Sequence, residues 1–169
     1  MVDDAPWYAL WTLSRCEQMV HDQLAGKGFD VLLPVVHSWR RRRGASSLQP
    51  APMFPGYLFL RHAIDKSSYI QIVSSRGLVR ILGERWDRLS PVPAHEIEAI
   101  RRVSRSGLPA LPYPYLREGQ RVRILRGPLA DMEGVFVEGN PRSGLLVLSV
   151  ELLCRSVAVE VECTAVAVA

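Results

Sequence analysis

The chain has 169 residues, 48% hydrophobic and 22% charged, with a formal net charge of +4. This is the composition of an ordinary globular protein, one domain or two small ones, and it excludes a low-complexity chain. No apolar run approaches the roughly 20 residues that span a bilayer. The start "MVDDAPWYAL" lacks the basic region and apolar stretch of a signal peptide, so the expectation is a cytoplasmic protein with no membrane partner.

"WYALWTL", Trp7 to Leu13, alternates Trp7, Ala9, Trp11 and Leu13 with Tyr8, Leu10 and Thr12, and reads as a central strand apolar on both faces. In "SRCE", Ser14 and Glu17 have the spacing of a capping box. Cys16, Met19, Val20 and Leu24 follow at helical spacing, and Gly28 supplies a left-handed stop. Phe29 to Leu33 reads as a strand bounded by Pro34, and "VVHSW" continues extended into Arg40, Arg41, Arg42 and Arg43. The Gly, Ser and Pro content of "GASSLQPAP" predicts an exposed hairpin tip, which places the arginines on a loop edge. "PMFPGYLFLR" then sets a Pro55-Gly56 corner before Tyr57, Leu58, Phe59 and Leu60, a strand with apolar side chains on both faces. One face suits the core, and the other needs a cover from this chain or a partner.

A short helix is predicted over Ser67 to Ser74, then the strand "LVRIL" and a turn at Gly83. Pro91 and Pro93 introduce a last helix, with Ile97, Ile100 and Val103 on one face, Glu96 and Glu98 early and Arg101, Arg102 and Arg105 late, an order that suits the helix dipole. "SGLPALPYPYL", Ser106 to Leu116, reads as a semi-rigid linker. Beyond it, "QRVRILR", "VFVEG", "LLVLSV" and "RSVAVEVE" are short strands with Gly at the reversals, the pattern of a small antiparallel barrel. "LLVLSVELL" also admits a helix, but the many valines favour strand. The expected architecture is α+β, with domains over 1–105 and 117–169 joined by the linker 106–116.

Charge is uneven between these halves. Met1 to Arg105 holds 15 Lys and Arg against 10 Asp and Glu, whereas Ser106 to Ala169 holds 6 against 7, so the first half suits a polyanion better. Cys16, Cys154 and Cys163 form no C-x-x-C, and His21, His37, His62 and His95 are scattered singly. No nucleophile, base or metal cluster converges, so neither an enzyme nor a cofactor is expected.

Read in order, "WYAL", Glu17 with its helix, "VLLP", "PMFPGYLF", "SSRGLVRILG", "PVPAHEIEAI" and "EGQRVRILRGPLADMEGVFVEGN" resemble the NusG family of transcription elongation factors over almost the whole chain. The resemblance implies an NGN domain, a four-stranded antiparallel sheet with flanking helices, followed by an SH3-like KOW barrel. It implies that the first domain binds the clamp helices of the largest RNA polymerase subunit through an apolar depression, for which Trp11, Tyr57, Phe59 and Leu82 are the matching positions. It also implies contact of Arg40 to Arg43 with upstream or non-template DNA. In relatives that read a DNA element the surface near the short helix takes part, here Ser68, Tyr69, Gln71, Ser74, Ser75 and Arg76, and the same region approaches the polymerase lobe opposite the clamp. "LSRCE", the short "QPAPMFPGY" approach and the modest linker are closer to operon-specific antiterminators of the RfaH type. In place of the family's Gly-Arg pair and "pVel" strand this chain has Cys154-Arg155 and "SVAVEVE", which bears on contacts of the second domain with Rho or a ribosomal protein. A monomer is expected. The rival readings are a housekeeping pausing and termination factor working with Rho, and an RNA- or ribosome-binding KOW protein.

Overall fold

The computed structural model describes residues 4–113, 119–138, 143–150, 153, 155–162 and 165–169. The chain divides into two compact units, Met1–Pro34 with Phe54–Ile97, and Val35–Met53 with Glu98–Ala169.

In the first unit, β1 (Trp7–Thr12) leads into α1 (Glu17–Gly26) and β2 (Asp30–Leu32). After the excursion described below come β5 (Tyr57–Arg61), α2 (Lys66–Val73), β6 (Leu78–Ile81), β7 (Gly83–Arg85), β8 (Arg88–Leu89) and β9 (Pro91–Val92). β3 (Val35–Arg42) and β4 (Ala45–Pro52) belong to the second unit, and the boundary between units falls inside α3 (Ala94–Ser106). The sheet has the antiparallel order β2-β5-β1-β6, and β9 pairs with β1 at Trp7 and Tyr8, along the edge that β6 uses from Leu10 to Thr12. The expected four-stranded sheet is present, with β9 as an addition. Leu10, Leu58, Leu60 and Ile81 share one face and pack with Val20 and Leu24 of α1 and Ile72 of α2; all seven are buried.

The helix ends carry one correction to the sequence reading. Ser14 does not cap α1: Arg15 turns the chain with φ 62°, and the N-cap is Cys16, which makes no side-chain cap bond. Glu17 is instead buried and committed elsewhere. The C-terminus behaves as expected, for Gly28 has φ 88°, its N–H reaches the Ala25 carbonyl and the Phe29 N–H reaches that of Leu24, a Schellman arrangement. α2 has the box that α1 lacks: the Ser68 N–H donates to Asp65 Oδ1 at 2.7 Å and the Asp65 N–H to Ser68 Oγ at 2.9 Å.

In the second unit, β3 and β4 form a hairpin paired from Val35↔Pro52 to Arg42↔Ala45. The predicted loop "GASSLQPAP" is therefore largely strand. The turn is the two-residue Arg43-Gly44, with φ 51° and 84°, the positive pair that a tight hairpin requires. Pro50 and Pro52 are tolerated because, two residues apart, both direct their missing N–H to the outer edge of the ribbon. The remaining strands are β10 (Ala110–Tyr113), β11 (Gln120–Ile124), β12 (Glu133–Glu138), β13 (Ser143–Val150), β14 (Arg155–Glu162) and β15 (Val166–Val168), antiparallel in the order β10-β14-β13-β12-β11-β15. The stretch read as a linker thus contains a strand, which lies at the sheet's edge. β13 shows that "LLVLSV" is strand and not helix, and Val135, Val147 and Ala158 form a buried cluster among β12, β13 and β14. The α+β class, a helix-flanked sheet followed by a small SH3-like barrel, is as the sequence implies. Cys154 and Cys163 lie outside the described residues, while Cys16 is a half-buried free thiol.

Candidate functional site

The second face of the first sheet follows from register. Ala9 pairs with Phe59 and Trp11 with Tyr57, Phe59 also lies opposite Leu32, and all project away from the Leu58 and Leu60 face. One end of this face is closed. Trp7 is buried beneath the Arg61 guanidinium, which sits 5.5 Å from the ring centroid and is held by Asp30 at 2.7 Å. Phe59 is fully buried and meets Phe54 edge-on, with centroids 6.2 Å apart.

The other end is open. Trp11 is 43% exposed, Tyr57 and Leu82 are half-buried, and the Leu82 N–H bonds the Ala9 carbonyl at 2.9 Å. Of the four depression residues expected, three therefore share an accessible end, and Phe59 is their floor and not a contact.

The Pro-Gly corner sets this geometry. Gly56 has φ 86°, and a Cβ there would lie 3.9 Å from Trp11 Cδ1, so the indole leans over the corner. The Gly56 N–H donates to Glu17 Oε1 at 2.7 Å, and the Gly56 carbonyl accepts from the Thr12 N–H at 2.9 Å. The carboxylate that the sequence assigns to a helix cap thus ties α1 to the corner. Only its spacing from Ser14 was visible in sequence; its partner is 39 residues away.

The polar residues around α2 sort differently from the sequence expectation. Ser68 is buried in its capping box, and Tyr69 packs against the core of the first unit. Lys27 Nζ donates to the Gln71 carbonyl at 2.7 Å, to Ser75 Oγ at 3.1 Å and to Ser74 Oγ at 3.3 Å, so both hydroxyls are engaged within the protein. Gln23 grips the next residue from both sides, with Nε2 on the Arg76 carbonyl at 2.9 Å and Oε1 on its N–H at 3.0 Å. Gln23 and Lys27 were missed in sequence because they lie on α1 and at its C-cap, remote from the segment they hold. The side chains of Gln71 and Arg76 remain exposed. Asp65 titrates below the ordinary aspartate range, chiefly because the Ser68 backbone N–H bonds its carboxylate and secondly because the Ser68 hydroxyl does.

Arg40, Arg41 and Arg42 lie on β3 and Arg43 in its turn, all four exposed. They occupy a strand and a tight turn, not a loop edge, and none makes an ion pair among the described residues. Val35–Met53 contains no Asp or Glu, so their charge is uncompensated locally.

Residues 5–101 match the family model described as transcription termination factor nusG, more than half of the chain. The chain belongs to the NusG family. It is similar to the NusG transcription termination/antitermination protein of Pseudomonas aeruginosa, 28% identical over 166 residues that cover 92% of this chain and 94% of the relative. Against the Neisseria meningitidis NusG the identity is 26% over 147 residues, covering 86% and 83%. A solved structure titled "Domain interaction in Thermotoga maritima NusG" covers 98% of both chains with a TM-score of 0.64 at 20% identity, which shows the NusG fold.

Proposed function

We propose that this protein is a non-enzymatic transcription elongation factor that binds RNA polymerase at the clamp helices of the largest subunit and acts in antitermination at a restricted set of operons. The observation that carries this reading is the open end of the second sheet face. Trp11, Tyr57 and Leu82 present rigid apolar surface at low entropic cost beside a corner fixed by Gly56 and Glu17, while the opposite face is filled by α1 and α2. Membership of the NusG family supports polymerase as the occupant. The working division is 1–105 for polymerase and 117–169 for a second partner, recruited at the high effective concentration that tethering provides.

The mechanism needs no covalent chemistry. A factor with higher affinity for the elongating clamp than for the paused one shifts polymerase toward elongation by that difference in affinity. Arg40 to Arg43, with Gln71 and Arg76, would meet DNA at the bubble, the arginines through phosphates. The test is the double substitution Trp11→Ala with Tyr57→Ala, assayed by pull-down with core polymerase and by transcription through a pause site. Binding should fall at least tenfold with an unchanged circular dichroism spectrum. Normal binding by that variant overturns the assignment. Phe59→Asp is unsuitable as a probe, because a charge in that fully buried floor would unfold the domain.

A further inference from the structure

Among the residues not absorbed above, the outer face of the β3–β4 hairpin stands out. Side chains alternate along β3, and Val36, buried at 3%, identifies the inward face at the base of the ribbon. The Ser104 hydroxyl anchors the same base by donating to the Val35 carbonyl at 2.7 Å. His37, Trp39 and Arg41 therefore lie on the outward face. Trp39 is 65% exposed, and its cross-strand partner Leu48 is 40% exposed. An indole that the fold leaves this bare is set directly beside Arg41, with Arg40 and Arg42 on the reverse of the same strand and no carboxylate on the hairpin to neutralise any of them.

We propose that this hairpin face binds single-stranded nucleic acid, Trp39 stacking on an unpaired base against Leu48 while Arg41 and its neighbours neutralise the flanking phosphates. The charge excess selects a polyanion, and the flat exposed indole selects one whose base faces are open, which a paired duplex hides. The proposal deepens the assignment of Arg40 to Arg43 to DNA and rests on it, but adds a base contact that charge alone does not supply.

The experiment uses the full chain and fluorescence anisotropy with four probes: labelled oligo(dT), an abasic oligonucleotide of the same length, a blunt duplex, and polyglutamate as competitor. Oligo(dT) should bind more tightly than the abasic strand and the duplex. Trp39→Ala should lower oligo(dT) affinity by about 5- to 150-fold, the range expected for one stacked base, and leave abasic binding and the melting temperature unchanged. Trp39→Phe should restore most of the loss. Arg41→Ala should weaken both strands and flatten the salt dependence.

If Trp39→Ala binds oligo(dT) like the parent while Arg41→Ala weakens it, the stacking site is refuted and the phosphate reading alone stands. Equal losses on oligo(dT) and abasic strands refute it too, as does displacement of oligo(dT) by an equal charge concentration of polyglutamate. If the parent binds neither strand, both this proposal and the assignment of the arginines to DNA fall, while polymerase binding through Trp11 and Tyr57 is untouched.

Discussion

Glu17→Ala is the sharpest probe of how the open apolar end of the sheet, proposed above as a docking surface, is built. Glu17 is 7% exposed, and its carboxylate accepts the Gly56 N–H at 2.7 Å, a charge-assisted bond with little solvent to replace it. Bonds of this kind contribute about 1.5 to 3 kcal/mol. For a domain of this size each kcal/mol moves the melting temperature by about 4 to 8 °C, so a loss of about 2 kcal/mol corresponds to about 8 to 16 °C. Glu17→Gln keeps an acceptor oxygen but loses the charge, and should cost about half as much. Thermal melts followed by near-ultraviolet circular dichroism measure the loss, and amide exchange at Gly56 locates it. Exchange there should accelerate in both variants, and polymerase affinity should fall with it, because Trp11 leans on the same corner. A Glu17→Ala protein that melts within about 2 °C of the parent with Gly56 still protected would refute the claim that this carboxylate fixes the corner.

Other outcomes follow from single features. Gly83→Ala should cost about 2 to 4 kcal/mol, since Gly83 has φ 146° and a Cβ would meet Leu89 Cα at 2.6 Å and the Arg88 carbonyl at 2.7 Å; a denaturant melt measures it. Lys27→Ala should leave global stability within about 1 kcal/mol but speed amide exchange from Ser74 to Gly77, where Lys27 and Gln23 hold the chain. The Asp65 carboxylate titrates below 3.8 in the folded protein, so its contribution to α2 is fully present above the unfolded value and is lost as pH falls through the lowered one. Acid titration of helicity should therefore show a smaller loss below about pH 4 for Asp65→Asn, which accepts the same bonds without ionising.

How much of this was legible in the sequence depends on how local each determinant is. The two-faced character of β1 and β5 was readable from alternation, because a strand's period places Trp11 with Tyr57 and Leu58 with Leu60 once the register is known. Alternation does not report depth, so Phe59 looked like Tyr57 although one is floor and the other is rim. The errors came where composition was taken for conformation. Gly, Ser and Pro made Ala45–Pro52 look like a loop, but prolines two apart are compatible with the free edge of a two-stranded ribbon, and Arg43-Gly44 suffices as the turn. The same misreading made a linker of residues that include β10.

The side-chain commitments were least visible, and they alter the functional reading most. Ser74 and Ser75 are polar residues on a short helix end, and nothing local distinguishes a hydroxyl free to read a base from one that Lys27 already holds. Lys27 and Gln23 bond the Gln71–Arg76 segment, in which Gln71, Ser74 and Arg76 are exposed but the Ser74 hydroxyl is already engaged, so Gln71 and Arg76 are the exposed side chains that these bonds leave available. On the proposed DNA-reading role, a segment pre-ordered in this way loses little entropy on binding, and its selectivity would rest on those two side chains. The hairpin proposed to bind single strands has the opposite character, with four arginines that make no ion pair among the described residues and one exposed indole, chemistry that tolerates any base. On the proposed nucleic-acid role, sequence preference is expected at Gln71 and Arg76, and the hairpin is expected to contribute affinity without it.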